Sequence, residues 1–136
     1  MKFSRSTTYG LRALANLVLA KASDVSRVKS LKVIAQEENI SLKFLEKLFS
    51  KLKKANVVNS TRGINGGYYL ANKPNKITLL KVLEALGEDV IVFQCIGGEG
   101  DIQCSNSANC GAVPVLQKVQ IAITRSLQGM TLEDLV

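Results

Sequence analysis

Residues 40–71 read ISLKFLEKLFSKLKKANVVNSTRGINGGYYLA, and two periodicities meet within them. From Ser41, a suitable N-cap, Leu42, Leu45, Leu48, Phe49 and Leu52 recur at helical spacing and define one apolar face. On the opposite face Lys43, Lys47, Lys51 and Lys54 follow one another at steps of four, four and three residues, which stacks them as a stripe. Like charges in a row oppose a helix unless an anion shares the surface, and a phosphate backbone is such an anion; lysine is equally a soluble helix former that needs no ligand. Beyond Asn56 the pattern changes. Val57 and Val58, then Gly63, Gly66 and Gly67, then Tyr68, Tyr69 and Leu70 spell strand, turn and strand, with Arg62 at the mouth of the hairpin. Tight turns need glycine with or without a ligand. No Gly-Lys-Ser/Thr follows and no helix opens directly after the glycines, which argues against a nucleotide-phosphate loop.

Upstream, Ser30 is placed to cap a short helix carrying Leu31, Ile34 and Ala35 that stops near Asn39. Only Asn39 and Ile40 separate it from Ser41, the tight joint of a helix-turn-helix. A hairpin directly after such a pair describes a winged helix, in which the second helix enters a major groove and the wing lies along backbone or in a minor groove. Glu46 interrupts the lysines; a carboxylate facing DNA is favourable where it accepts from a cytosine amino group, and a surface pair with Lys43 or Lys47 is the plainer alternative.

The N-terminal stretch imitates a signal peptide, but Arg12 and Asn16 interrupt its apolar run. The spacing of Leu11, Leu14, Ala15, Leu17 and Val18 instead predicts an amphipathic helix from about Thr7 to Lys21. Past Pro74, Thr78 opens a helix with Leu79, Leu80, Val82, Leu83 and Leu86, ended at Gly87. Pro114 begins a long helix to about Gln128, with Gly129 as its stop. Val115, Leu116, Val119, Ile121, Ala122, Ile123 and Leu127 fall around much of that helix, more than one core-facing stripe requires, so a second protomer is expected to cover part of it. The fold expected is mainly α with a small β-hairpin (α+β): a winged helix-turn-helix plus a long dimerisation helix. Residues 1–77 form the DNA-binding region and residues 78–136 the cysteine loop and dimerisation helix, all in one compact domain.

At 136 residues the chain can close a core without disulfides. Its net charge of +7 is unevenly divided. Residues 1–81 hold 16 Lys/Arg against 4 Asp/Glu, net +12, and residues 82–136 hold 2 against 7, net −5. A basic half joined to an acidic half fits a polyanion-binding module coupled to one of another purpose, or else a solvated basic surface. No apolar run reaches membrane-spanning length, so the chain reads as soluble and cytoplasmic. It contains no histidine, which excludes a nucleophile-histidine arrangement, and no carboxylates pair at a catalytic spacing.

Cys95, Cys104 and Cys110 share one Gly, Ser and Asn-rich loop as C-x8-C-x5-C. In a reducing compartment an odd set of three thiols favours ligation or redox sensing over a disulfide. Zinc sites bring ligands in closely spaced pairs, whereas an iron–sulfur cluster spreads its iron atoms to suit a wide loop; structural zinc and redox thiols remain open.

The 40–71 segment followed by three cysteines resembles the recognition helix and wing of bacterial winged-helix regulators of the IscR, NsrR and RirA kind. The likeness extends to the opening FSRSTTYGLRAL and the closing MTLEDLV. It implies a homodimer that binds double-stranded DNA and senses iron–sulfur supply, iron, oxidants or nitric oxide. By this resemblance Cys95, Cys104 and Cys110 are cluster ligands, Glu46 the base-reading carboxylate and Arg62 the wing arginine. Ser41, Lys43, Phe44, Glu46, Lys47, Lys51, Arg62, Gly63, Asn65 and Gly66 make up the expected DNA-contacting set. The chain departs from the pattern in two places. Val113 stands where IscR-type members carry a histidine, and the first helix offers Thr8, Tyr9 and Arg12 where others supply a carboxylate. Glu99, Asp101, Ser105, Asn109, a side chain of the partner's first helix or an exogenous group are the remaining candidates for a fourth ligand. The resemblance favours [2Fe-2S], and three cysteines without histidine also allow [4Fe-4S]. The competing class is a redox or metal-handling protein whose basic face meets an acidic protein partner.

Overall fold

The computed structural model describes residues 2–23, 28–103 and 109–136. In chain order these form α1 (Arg5–Ser23), α2 (Leu31–Glu38), α3 (Leu42–Lys54), β1 (Val58–Thr61), β2 (Gly67–Leu70), α4 (Leu79–Ala85) and α5 (Val113–Gly129), with 3-10 turns at Pro74–Lys76 and Leu132–Leu135. The architecture is the mainly α winged helix-turn-helix with one antiparallel hairpin that the sequence predicts. Helix α1 runs two residues further at each end than its apolar spacing suggests.

Each predicted cap is in place. Ser30, Ser41 and Thr78 accept hydrogen bonds from the backbone N–H of Val33, Phe44 and Lys81 at 3.3, 3.5 and 3.2 Å. Helices α2 and α3 also stop alike. Asn39 (φ 54°) and Asn56 (φ 60°) take the left-handed conformation. The following N–H groups, of Ile40 and Val57, return to the carbonyls of Ala35 and Leu52 at 3.0 and 2.9 Å. That six-to-one bond is a Schellman stop, with Asn supplying the positive φ that Gly usually supplies.

The core gathers Leu14 and Leu17 of α1, Ile34 of α2, Leu45, Leu48, Phe49 and Leu52 of α3, Val57 and Val58, Val82 and Leu83 of α4, Leu127 of α5, and Leu132. Leu42 is more than a third exposed, so the inner face of α3 begins one turn later than its leucine spacing suggests. The residues that interrupt the N-terminal apolar run explain why it folds as a globular helix. Arg12 donates to the Glu38 carbonyl and pairs with its carboxylate at 3.4 Å, while Asn16 donates to Glu37 and Glu38 at 2.8 and 3.0 Å. At the other end of the chain, Leu79 N–H bonds the Met130 carbonyl at 2.9 Å and Leu132 N–H the Ile77 carbonyl at 3.0 Å, which fastens the end of α5 beside the start of α4. No helix among the described residues is long and apolar enough to cross a membrane.

Candidate nucleic-acid interface and cysteine loop

Helix α3 is pinned on one side and bare on the other. Leu45, Leu48, Phe49 and Leu52 are at most 1% exposed, while Ser41, Lys43, Glu46, Lys47, Lys51 and Lys54 all face solvent. Among the described residues the ion pairs are Arg12–Glu38 and Lys29–Glu37, so Glu46 pairs with neither Lys43 nor Lys47 and its carboxylate is available. Phe44 behaves differently from its neighbours in the expected contact set. Its half-buried ring stands edge-on to Tyr9 with centroids 5.7 Å apart, and Tyr9 in turn lies under the Arg12 guanidinium at 5.5 Å. The structure therefore turns Phe44 toward α1, where it fixes the start of α3.

The hairpin pairs Val58 with Leu70 through Thr61 with Gly67, leaving Arg62, Gly63, Ile64 and Asn65 exposed at the tip. Gly63 sits at φ 113°, and Gly66 N–H closes the turn on the Gly63 carbonyl at 3.0 Å. Lys29 contributes an edge that the sequence does not reveal. Its N–H and carbonyl exchange bonds with Tyr68 at 3.0 and 2.8 Å, and a Cβ on Gly67 would overlap the Lys29 carbonyl, so only glycine admits that third chain. The Lys29 ammonium reaches Asn16 and Glu37, both at 2.5 Å. That hydrogen bond, with one from Asn16, holds the Glu37 carboxyl below the usual carboxylate range. Lys53 donates to Ser60 at 2.7 Å, and Phe49 meets Tyr68 edge-on at 5.0 Å. The wing is thus joined to α1, α2 and α3 at once, and its tip is presented from a braced base.

In the cysteine loop Cys95 is half-buried and Cys110 exposed, both as free thiols; Cys104 and Ser105 lie outside the described residues. Cys95 opens a compact turn in which Gln103 N–H bonds its carbonyl and Gly97 N–H bonds that of Asp101, each at 2.8 Å. Ile96 is fully buried beneath it, bridged to Ile102. Glu99, Asp101 and Asn109 face solvent, Val113 is buried, and Arg12 is occupied by Glu38. Among the described residues no three Cys, Asp or Glu side chains converge as a metal site. Soft, unpaired thiols of unequal exposure suit an iron–sulfur or other thiophilic centre rather than a hard divalent cation.

Helix α5 inverts the usual amphipathic order. Its inward face carries Val113, Gln120, Thr124 and Leu127, whereas Val115 (62% exposed), Val119 (39%) and Ala122 form an outward apolar stripe. Just after α4, the Glu88 carboxylate accepts from Ser4 N–H at 2.8 Å, and its carboxyl is held low by the Ser4 and Thr7 hydroxyls.

Comparison with known proteins agrees with this arrangement. The profile of the Rrf2 family, described as an iron-dependent transcriptional regulator, matches residues 3–136. The HTH-type transcriptional regulator IscR of Aliivibrio salmonicida is 34% identical over 137 aligned positions, covering 100% of this chain and 77% of the relative. Among solved structures, CymR, the global cysteine regulator of B. subtilis, superposes with a TM-score of 0.78 at 30% identity over 99% of this chain and 95% of that one. T. potens IscR superposes at 0.70 and 30% identity over 98% and 85%. Family match, relatives aligned over the whole of this chain and shared winged-helix geometry agree: the chain belongs to the Rrf2 family of helix-turn-helix transcriptional regulators.

Proposed function

We propose that this regulator binds double-stranded DNA as a homodimer through α3 and the wing, and that an iron–sulfur cluster ligated by Cys95, Cys104 and Cys110 sets its affinity. The observation that carries the reading is α3 itself, a helix anchored by four buried side chains whose opposite face is a row of exposed lysines with no ion pair among the described residues. Lys43, Lys47 and Lys51 are assigned to phosphates, Glu46 to a cytosine amino group, and Ser41 to the backbone at the helix start. Arg62 and Asn65 reach the minor groove, with Gly63 and Gly66 admitting close backbone approach. Phe44 serves by positioning α3. The outward stripe Val115, Val119 and Ala122 supplies the dimer contact, so residues 1–77 read DNA and residues 78–136 sense and dimerise.

The chemistry supplied at the three thiols is one-electron redox and ready loss to oxidants or nitric oxide, which fits a repressor in a bacterial cytoplasm responding to iron–sulfur status. The fourth donor is an oxygen ligand from Glu99, Asp101, Ser105 or Asn109, or comes from a partner or exogenous group; [2Fe-2S] is favoured over [4Fe-4S]. Protein purified anaerobically is expected to be coloured, to contain iron and sulfide, and to bind a selected duplex with different affinity before and after cluster removal. Equal affinities, or a colourless protein with stoichiometric zinc, refute the cluster reading. A second reading, regulation by the thiols alone, draws on the likeness to the cysteine regulator CymR and on Val113, which has no donor atom. It is distinguished by metal-free protein whose DNA affinity changes on thiol oxidation.

A further inference from the structure

Three polar side chains on the inward face of α5 hold the backbone of the cysteine loop. Gln120 is fully buried. Its carboxamide oxygen accepts from Val92 N–H at 2.8 Å and its nitrogen donates to the Val90 carbonyl at 3.0 Å, the pair of bonds a neighbouring strand would make. Thr124 donates to the Gly98 carbonyl at 2.6 Å and lies 3.2 Å from the Gln120 nitrogen, and Gln117 donates to the Gly100 carbonyl at 2.7 Å. Steps of three and four residues place all three on one face. A core position filled by a carboxamide is unfavourable unless its polar atoms are fully paired, and here they are paired with the loop backbone and with Thr124. Because every loop contact is to backbone, the grip fixes conformation whatever side chains the loop carries. Cys95 lies between its held points, Val92 and Gly98.

We propose that Gln120 and Thr124 are positioning residues for Cys95, setting the placement of its thiol by gripping Val90, Val92 and Gly98. The functional meaning of this grip rests on the loop being the sensing site, but its existence does not. The test uses the full-length, reduced, metal-free chain, alkylated with iodoacetamide and followed by mass spectrometry, with the exposed Cys110 as internal reference. Thr124→Val keeps the shape and removes the hydroxyl; Thr124→Ser keeps the hydroxyl. Thr124→Val is expected to raise the Cys95-to-Cys110 rate ratio at least fivefold, Gln120→Met to raise it further, and Thr124→Ser to stay within twofold of the parent. A parental ratio in Thr124→Val overturns the proposal, as does equal acceleration in the Ser and Val variants, which would assign Thr124 to packing. If Gln120→Met does not fold, the two Thr124 variants decide. Parent protein that takes up no iron or sulfide refutes the cluster reading and leaves these ratios intact, so the two ideas fail separately.

Discussion

Replacing Lys51 by Gln isolates the lysine face of α3. Lys51 is exposed and its side chain has no partner among the described residues, whereas nearby Lys53 donates to Ser60 at 2.7 Å and belongs to the joint between α3 and the wing. The two lie roughly half a turn apart around the helix. Each phosphate contact contributes about −0.9 to the slope of log K against log salt. A homodimer loses two such contacts in Lys51→Gln, so its slope is expected to be about 1.8 shallower than the parent's. Over a fourfold rise in salt the parent should then lose roughly tenfold more affinity than the variant. Lys53→Gln should leave the slope within about half a contact's worth. Anisotropy titrations of a labelled operator duplex across a series of KCl concentrations measure all three slopes. A parental slope in Lys51→Gln, or equal shifts in both variants, refutes the assignment of the stripe; a shift of only one contact refutes a symmetric dimer on the DNA.

Glu46→Ala should leave the salt slope unchanged but narrow the ratio of operator to random-duplex affinity by about 1–3 kcal/mol, measured by competition. Asn56→Ala should destabilise the fold by about 1–2 kcal/mol, read as a lower urea midpoint at constant m-value, while Asn56→Gly should not. Because the hydrogen bond to Lys29 lowers the Glu37 pKa, its contribution is complete above the usual carboxylate range and is lost as pH falls through the lowered folded value. Glu37→Gln should therefore flatten the acid side of the stability–pH curve. Val119→Glu places a charge in the outward stripe of α5 and should shift the protein toward monomer by light scattering, with weaker operator binding.

What the sequence discloses follows the range of the forces involved. Caps are local, so Ser30, Ser41 and Thr78 are legible, as are the lysine stripe and the strand–turn–strand of the wing. Phe44 reads as part of the α3 surface because nothing near it in sequence shows that Tyr9 awaits its ring. Lys29 is a single extended residue without alternation, and its pairing with Tyr68 has no local signature. Arg12 and Asn16 register only as flaws in an apolar run; their partners lie in α2. The apolar circumference of α5 is visible, but not that Gln120 and Thr124 share its inward face with Val113 and Leu127, where the adjoining loop backbone has groups that apolar side chains would leave unsatisfied.

The C-terminal end and the inward face of α5 are held by different things, and that asymmetry bears on how the loop would speak to the proposed DNA-reading half. Its C-terminal end is fastened to the start of α4, which follows the wing by way of the 3-10 turn Pro74–Lys76, through the Leu79–Met130 and Ile77–Leu132 backbone bonds. Along its inward face it grips the cysteine loop through Gln117, Gln120 and Thr124. At 17 residues the helix is a lever about 25 Å long. Rotation of about 5° around the fastened end moves the far end by roughly 2 Å, enough to repack the outward stripe against the second protomer proposed to cover it. The wing base is braced by Lys29, Lys53 and Tyr68, so it follows α3 rather than absorbing the motion. Half-sites on DNA have a fixed spacing, so in the proposed dimer a shift of this size between two braced recognition units would be expressed as a change in affinity rather than dissipated within either one.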